Sequence, residues 1–173
     1  PENTPLPGCG GLTVNGTCDD SWFKVTPTSC GDLSFAFSNV TGGSGSSLAT
    51  AAYVDNGTCD GLTLLSCDPT HDIAPLGVTI TKVLPGKTYY LRVWDNNCDG
   101  DKSYTVTANI APNAACNTIA LDETSNGATV PVTCGNTITL TDSGGNLGGS
   151  ANYSHPENYC ITFTPSTVGS QIQ

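Results

Sequence analysis

The stretch "DNNCDGD", residues 95–101, carries oxygen-bearing side chains at the spacing of a calcium-binding loop. Asp95, Asn97 and Asp99, followed by Gly, match the first half of the D-x-N-x-D-G pattern, in which alternate oxygens surround the ion. An EF-hand also needs a bidentate Glu at the twelfth position and a helix on either side. Here that position is Val106, and both flanking segments have strand character.

A simple turn explains the same residues. Asn, Asp and Gly tolerate the left-handed backbone conformation that tight connections between antiparallel strands require. We therefore predict that residues 95–101 form the turn of a β-hairpin, and we keep calcium as the alternative. If the ion binds, the ligands are Asp95, Asp99 and Asp101.

The strand before this loop carries aromatic side chains that suit sugar binding. Tyr90, Arg92 and Trp94 alternate with apolar residues and share the face opposite Leu91. If that face is open, the three side chains form a stacking platform for a glycan or another surface ligand. The alternative is core packing, which we expect for at least half of the aromatic residues of the chain.

Nine cysteines and no Met place the chain in an oxidising compartment outside the cytosol. No two cysteines have C-x-x-C spacing, which argues against a zinc ribbon. Cys59 and Cys67 flank a short loop and strand, and we expect them to form a disulfide. The odd count leaves at least one cysteine unpaired or bonded outside this sequence. The pairing of a further group stays open, namely Cys9, Cys18, Cys30, Cys98 and Cys116.

Catalytic signatures are weak. "DSGG" at 142–145 is also found around the nucleophile of trypsin-like proteases, but only His71 and His155 exist, and His71 lacks the sequence context of a catalytic base. "PGKT" at 85–88 ends like a phosphate-binding loop, yet a strand follows where that site needs a helix, so we predict a turn. We predict that the chain is not an enzyme.

The charge balance narrows the partners. Five Lys and Arg against fifteen Asp and Glu give a formal net charge of −10, which repels phosphate and argues against nucleic-acid binding. No apolar run approaches the roughly 20 residues of a membrane-spanning helix, so we expect no membrane insertion. The predicted location is extracellular.

Strand patterns dominate the chain. Leu33, Phe35 and Phe37 alternate with small polar or apolar residues, the period-2 signature of a half-buried strand. Similar runs recur at short intervals, separated by Gly, Asn, Asp and Pro. The predicted strands are 21–27, 32–39, 50–56, 62–67, 77–84, 88–95 and 103–110. This spacing predicts an all-β fold, an antiparallel, jelly-roll-like β-sandwich.

A second strand series starts after Pro112, with "NTIAL", "ATVPVTC", "NTITLTD", "NYCITFTP" and "GSQIQ". The residues beyond this point are too few for an independent sandwich of about 100 residues. We therefore divide the chain into a sandwich at 1–111 and a partial second β-sandwich at 112–173. We expect the chain to be an excerpt of a longer protein.

The first block resembles the bacterial pre-peptidase C-terminal (PPC) domain. The resemblance covers about residues 18–110 and rests on the order "SWFKV", "LSFAF", "AAYVDNGTCDGLTLLSCD", "VLPGKTYYLRVWD" and "SYTVTANI". In that family "PGKTYYLRV" corresponds to a hairpin. The resemblance implies a non-catalytic accessory or adhesion module of secreted and surface proteins, many of them exported by type IX secretion, and it implies a location at the bacterial cell surface.

The second block is similar to the start of a CUB-like domain. "CGNTITLTDSGGNLGGSANYSHPENYCITFTP" has the opening Cys-Gly and the "DSGG" turn of that family. The resemblance implies a disulfide between Cys134 and Cys160. The acidic residues that bind calcium in some members are missing from this sequence, so no such site is implied.

Together these observations predict a non-catalytic extracellular structural or adhesion module within a long cell-surface adhesin or filament. Its partners would be other domains of the same longer chain or neighbouring subunits, because a half-sandwich leaves strand edges that demand pairing. The alternative is an accessory module that targets a secreted hydrolase or protease to a polymer or sugar.

Overall fold

The computed structural model describes residues 20–42, 48–56, 61–68, 77–95, 102–133, 135–141 and 158–168. Within these ranges the chain is all-β, as predicted, apart from a short 3-10 helix at Ala114–Asn117. The strands are β1 (Asp20–Val25), β2 (Gly31–Thr41), β3 (Leu48–Asp55), β4 (Leu62–Asp68), β5 (Gly77–Val83), β6 (Tyr89–Asp95), β7 (Ser103–Ala111), β8 (Thr118–Ala120), β9 (Thr129–Val132), β10 (Thr139–Thr141) and β11 (Thr162–Pro165). Each predicted run contains one strand, except "GSQIQ", which lies outside the described residues.

The first seven strands form the two sheets of an antiparallel β-sandwich. One sheet has the order β1-β6-β3-β4 and the other the order β5-β2-β7. Among these strands only β3 and β4 are both consecutive and paired, and the Asn56 N–H donates to the Gly61 carbonyl at 3.0 Å at their end. Every other connection between successive strands of this group crosses from one sheet to the other.

The predicted hairpin at residues 95–101 is therefore wrong. β6 belongs to the four-stranded sheet and β7 to the three-stranded sheet, so this segment connects the two layers. The turn at 85–88 also joins strands of different sheets, and the hairpin implied by the PPC resemblance is wrong as well. An alternating pattern shows which side of a strand faces the core, but it does not specify the hydrogen-bonded neighbour.

The main core lies between the two sheets. Leu33 and Phe35 of β2 are 0% and 1% exposed, and they face Leu91 and Val93 of β6, which are 0% and 1% exposed. Phe23, on β1, packs at the edge of the same cluster. The alternation in β2 thus reflects one buried and one outer face, whereas β3 is buried along almost its whole length.

The strand series after Pro112 pairs in a different way. β8 pairs with β10 and β9 pairs with β11, and both pairs are parallel. Together they surround a small cluster that includes Ile119, Ala128 and Val130. In the part of the chain that the structure describes, no helix is long and apolar enough to cross a membrane.

Candidate functional site

The outer face of the four-stranded sheet brings the predicted aromatic platform together. β6 runs through this face with Tyr90, Arg92 and Trp94, flanked on one side by Trp22 opposite Arg92 and on the other by Tyr53 opposite Tyr90. These cross-strand neighbours are close enough for their side chains to interact. The face therefore contains one continuous aromatic cluster with the Arg92 guanidinium at its centre.

Arg92 lies between two indole rings. Its guanidinium carbon is 5.4 Å from the centroid of the Trp22 ring and 5.6 Å from that of Trp94, both within range of a cation–π interaction. Arg92 Nε is also 2.6 Å from Asp20 Oδ2. That N–H does not point at the carboxylate, so the contact is an ion pair without a well-aligned hydrogen bond. Trp22 Nε1 donates to the same Asp20 oxygen at 3.2 Å.

The centre of the aromatic cluster is shielded from solvent. Trp94 is 2% exposed and Arg92 is 6% exposed, whereas Trp22 is 39% exposed. Trp22 stacks at a tilt on Tyr53, with ring centroids 5.7 Å apart, and so reaches across Arg92. Burial raises the pKa of the Tyr53 hydroxyl, and the nearby Arg92 charge opposes that shift. The predicted platform residues thus share a face, but two of the three are buried, and Trp22 is the ring that solvent reaches.

Only one of the three predicted calcium ligands, Asp95, lies among the described residues. Asp95 is 8% exposed at the end of β6, and its Oδ2 lies 3.7 Å from the Lys102 ammonium. Asp99 and Asp101 lie outside the described residues. Among the described residues, no three His, Cys, Asp or Glu side chains lie together as a metal site requires. The calcium site stays a prediction.

Among the described residues, one disulfide has both of its cysteines in place. Cys30 and Cys116 are bonded, with Cα atoms 5.9 Å apart and a sequence separation of 86. Cys67 is disulfide-bonded too, but Cys59, its predicted partner, lies outside the described residues. Cys160 is a free and exposed thiol, so the predicted bridge with Cys134 is not formed. The backbone of Cys160 is held by a hydrogen bond, in which its carbonyl accepts from the Gly127 N–H at 2.7 Å.

The Cys30–Cys116 bridge lies at a junction between the two strand series. Leu84, at the end of β5, is 5% exposed and belongs to the same buried cluster as Ile119 and Val130, and Cys30 packs against that cluster. The backbone is joined as well, because the Thr129 N–H donates to the Pro85 carbonyl at 3.0 Å. The two series thus share a core instead of meeting through a bare linker.

Lys87 is buried at this junction. It is 5% exposed, and its ammonium donates to the Asn126 carbonyl at 2.6 Å. Burial lowers the pKa of Lys87, and the carboxylates of Asp55 and Asp122 oppose the shift. One of these carboxylates comes from each strand series, so the lysine contacts or faces both parts of the chain.

The turn that receives Lys87 is organised by its own side chains. Asp122 Oδ1 accepts from the Thr124 N–H at 2.9 Å and from the Ser125 N–H at 3.0 Å, an arrangement typical of Asx turns. Gly127 follows with φ +77°, a left-handed conformation that favours Gly. These bonds fix the Asn126 carbonyl where the lysine reaches it.

Sequence reasoning missed three parts of this arrangement. Lys87 was interpreted only as part of a turn, the partner of Cys30 was left open, and Trp22 was not placed over Arg92. The sequence contains a signal for Trp22, because Asp20, Trp22 and Lys24 are spaced two residues apart on one strand and therefore lie on the same face. For Lys87 and Cys30 the partners are distant in sequence, and no local pattern points to them.

No protein-family model matches the chain, and no curated protein is significantly similar to it. The resemblances to the PPC and CUB-like domains remain hypotheses that rest on the quoted motifs.

Proposed function

We propose that this chain is a non-catalytic structural module of a long extracellular adhesin or filament on a bacterial surface. In this role it spaces a binding tip from the cell, and its partners are other domains of the same longer chain or neighbouring subunits. The resemblance to PPC and CUB-like modules is part of the proposal.

The observation that carries the proposal is the junction between the two strand series. A spacer transmits position only if its parts keep a fixed orientation, and domains within a chain move relative to each other unless their interface is substantial and apolar. Here a disulfide, a shared apolar cluster and the Lys87–Asn126 hydrogen bond act at one place. This combination favours a stiff connection.

The extracellular location is supported by cysteine chemistry. Cys30, Cys67 and Cys116 are oxidised. Disulfides persist in oxidising compartments and are rare in the cytosol, where thiols are kept reduced. A net charge of −10 is consistent with a surface exposed to water and salt.

The accessory-module alternative is favoured by a different observation, the aromatic cluster. Trp22 is 39% exposed and has Tyr53 and Tyr90 beside it, with ring centroids at 5.7 and 6.5 Å. Exposed aromatic rings suit stacking on sugar rings, which would direct an attached hydrolase to its polymer.

Replacing this chain in its parent protein with a Gly/Ser linker of equal residue number separates the two functions. A flexible linker spans far less than an ordered module and does not fix orientation. We expect attachment of cells under flow to fall while hydrolysis of insoluble polymers stays unchanged. Loss of polymer hydrolysis with attachment intact would support the accessory module and reject the spacer.

A further inference from the structure

The position of the Cys30–Cys116 bridge creates a covalent shortcut. Cys30 immediately precedes β2, and Cys116 lies in the 3-10 helix that follows β7. Strands β2 to β7 all lie between the two cysteines. A covalent path from β1 to β8 therefore crosses the bridge and passes through none of those six strands.

β1 is the described strand on the amino-terminal side of this shortcut. It is already extended and pairs with β6 over its full length, from Asp20 opposite Trp94 to Val25 opposite Tyr89. When the chain is pulled from its ends, both forces act on β1 itself, one at each end. β6 lies inside the bypassed segment and receives no pull of its own, so the force does not shear β1 away from its neighbour.

Packing and a hydrogen bond also hold the Cys30–Cys116 bridge in place. Cys30 packs against the buried cluster around Leu84 and Ile119. Beside it, the Asn113 side-chain amide donates to Asp32 Oδ1 at 2.5 Å and ties the segment after β7 to the start of β2. The two ends of the bypassed segment are thus held together by contacts as well as by the covalent bond.

We propose that the Cys30–Cys116 disulfide carries tensile load around the first sandwich and makes strands β2 to β7 a length reserve that only reduction releases. The bypassed segment corresponds to a sequence separation of 86, about half of the 173 residues. At roughly 3.4 Å per extended residue, its release adds up to about 30 nm, and the full gain requires that the disulfide of Cys67 is open as well. This inference rests on the proposed function for its biological use, because a spacer on a cell surface experiences tension.

Force–extension measurements on the whole chain, held by handles at its two ends in optical tweezers, test this. The wild type under oxidising conditions and the control C160A, which removes the free thiol and keeps the bridge, should unfold to about half of the full contour length. The C30A/C116A double variant, in which the disulfide of Cys67 stays intact, should extend further by up to about 30 nm. Full extension of the oxidised wild type, or no gain in the double variant, would overturn the proposal.

A second measurement uses only the wild type and therefore does not depend on whether the double variant folds. Reductant is added to oxidised wild-type molecules that are already held under force, and the gain of about 30 nm should appear only after reduction. An unchanged length after reduction would also contradict the load path. Because this readout is independent of attachment under flow, a failed load path and a failed spacer function give different results.

Discussion

Removal of the Cys30–Cys116 bridge should be among the most damaging changes to stability in this chain. A disulfide restricts the unfolded state, and its contribution grows with the length of the loop that it closes. With a sequence separation of 86, the chain-entropy relation gives about 4.6 kcal/mol at 25 °C. Small domains are stable by only about 5–15 kcal/mol, so C30A/C116A should lose a large part of the total free energy of unfolding.

Urea denaturation followed by circular dichroism and tryptophan fluorescence measures this loss. With an m-value of about 2 kcal/mol/M, the midpoint should fall by roughly 2 M. The control C160A, which removes an exposed free thiol, should stay within about 0.5 kcal/mol of the wild type. A folded C30A/C116A variant that loses less than about 1 kcal/mol would refute the reasoning, because its unfolded chain would then be restricted by something other than this bridge.

Three further changes test the packing. Gly31→Ala should cost about 1–3 kcal/mol in urea unfolding, because a Cβ there would clash with the Ala111 carbonyl oxygen; wild-type stability would contradict the close approach of β2 and β7. Tyr89 accepts a hydrogen bond from the Leu84 N–H at 2.8 Å, and burial raises the pKa of its hydroxyl to about 12. Because the folded state then retains a proton that the unfolded state loses above about pH 10, stability should fall by up to roughly 2–3 kcal/mol between pH 10 and 12. Tyr89→Phe should reduce this pH dependence and leave the part that comes from Tyr53, whose pKa burial also raises; an unchanged slope would assign the dependence to groups other than Tyr89. Trp22→Ala should expose the remaining aromatic cluster and red-shift the fluorescence of the other tryptophan, and an unshifted spectrum would show that Trp22 covers nothing.

Strand positions could be predicted where a strand buries one face and exposes the other, as β2 and β5 do. Leu33, Phe35 and Phe37 alternate in the sequence, and in the structure all three point into the core between the sheets. The same rule located the strands after Pro112, where runs of β-branched residues coincide with β8 to β11. Local patterns carry this information because burial on one side of a strand has a period of two residues.

Pairing between strands could not be predicted in the same way. The segment between β6 and β7 has the composition of a tight turn, yet it joins two sheets, since hydrogen-bonded neighbours are chosen by long-range packing. Tyr90, Arg92 and Trp94 share one face as the alternation predicts, but the burial of that face involves Trp22, which belongs to a strand far away in the sequence. Lys87 was missed for a similar reason, because its acceptor is the backbone of Asn126.

Residual dipolar couplings of backbone amides test the fixed junction most directly. Couplings from β2 and β7 report the orientation of the first sandwich, and those from β8 and β9 report the strands after Pro112. We predict that one alignment tensor fits both sets in the oxidised chain. Two tensors of clearly different magnitude would mean that the two parts move independently, and a stiff spacer would then be excluded.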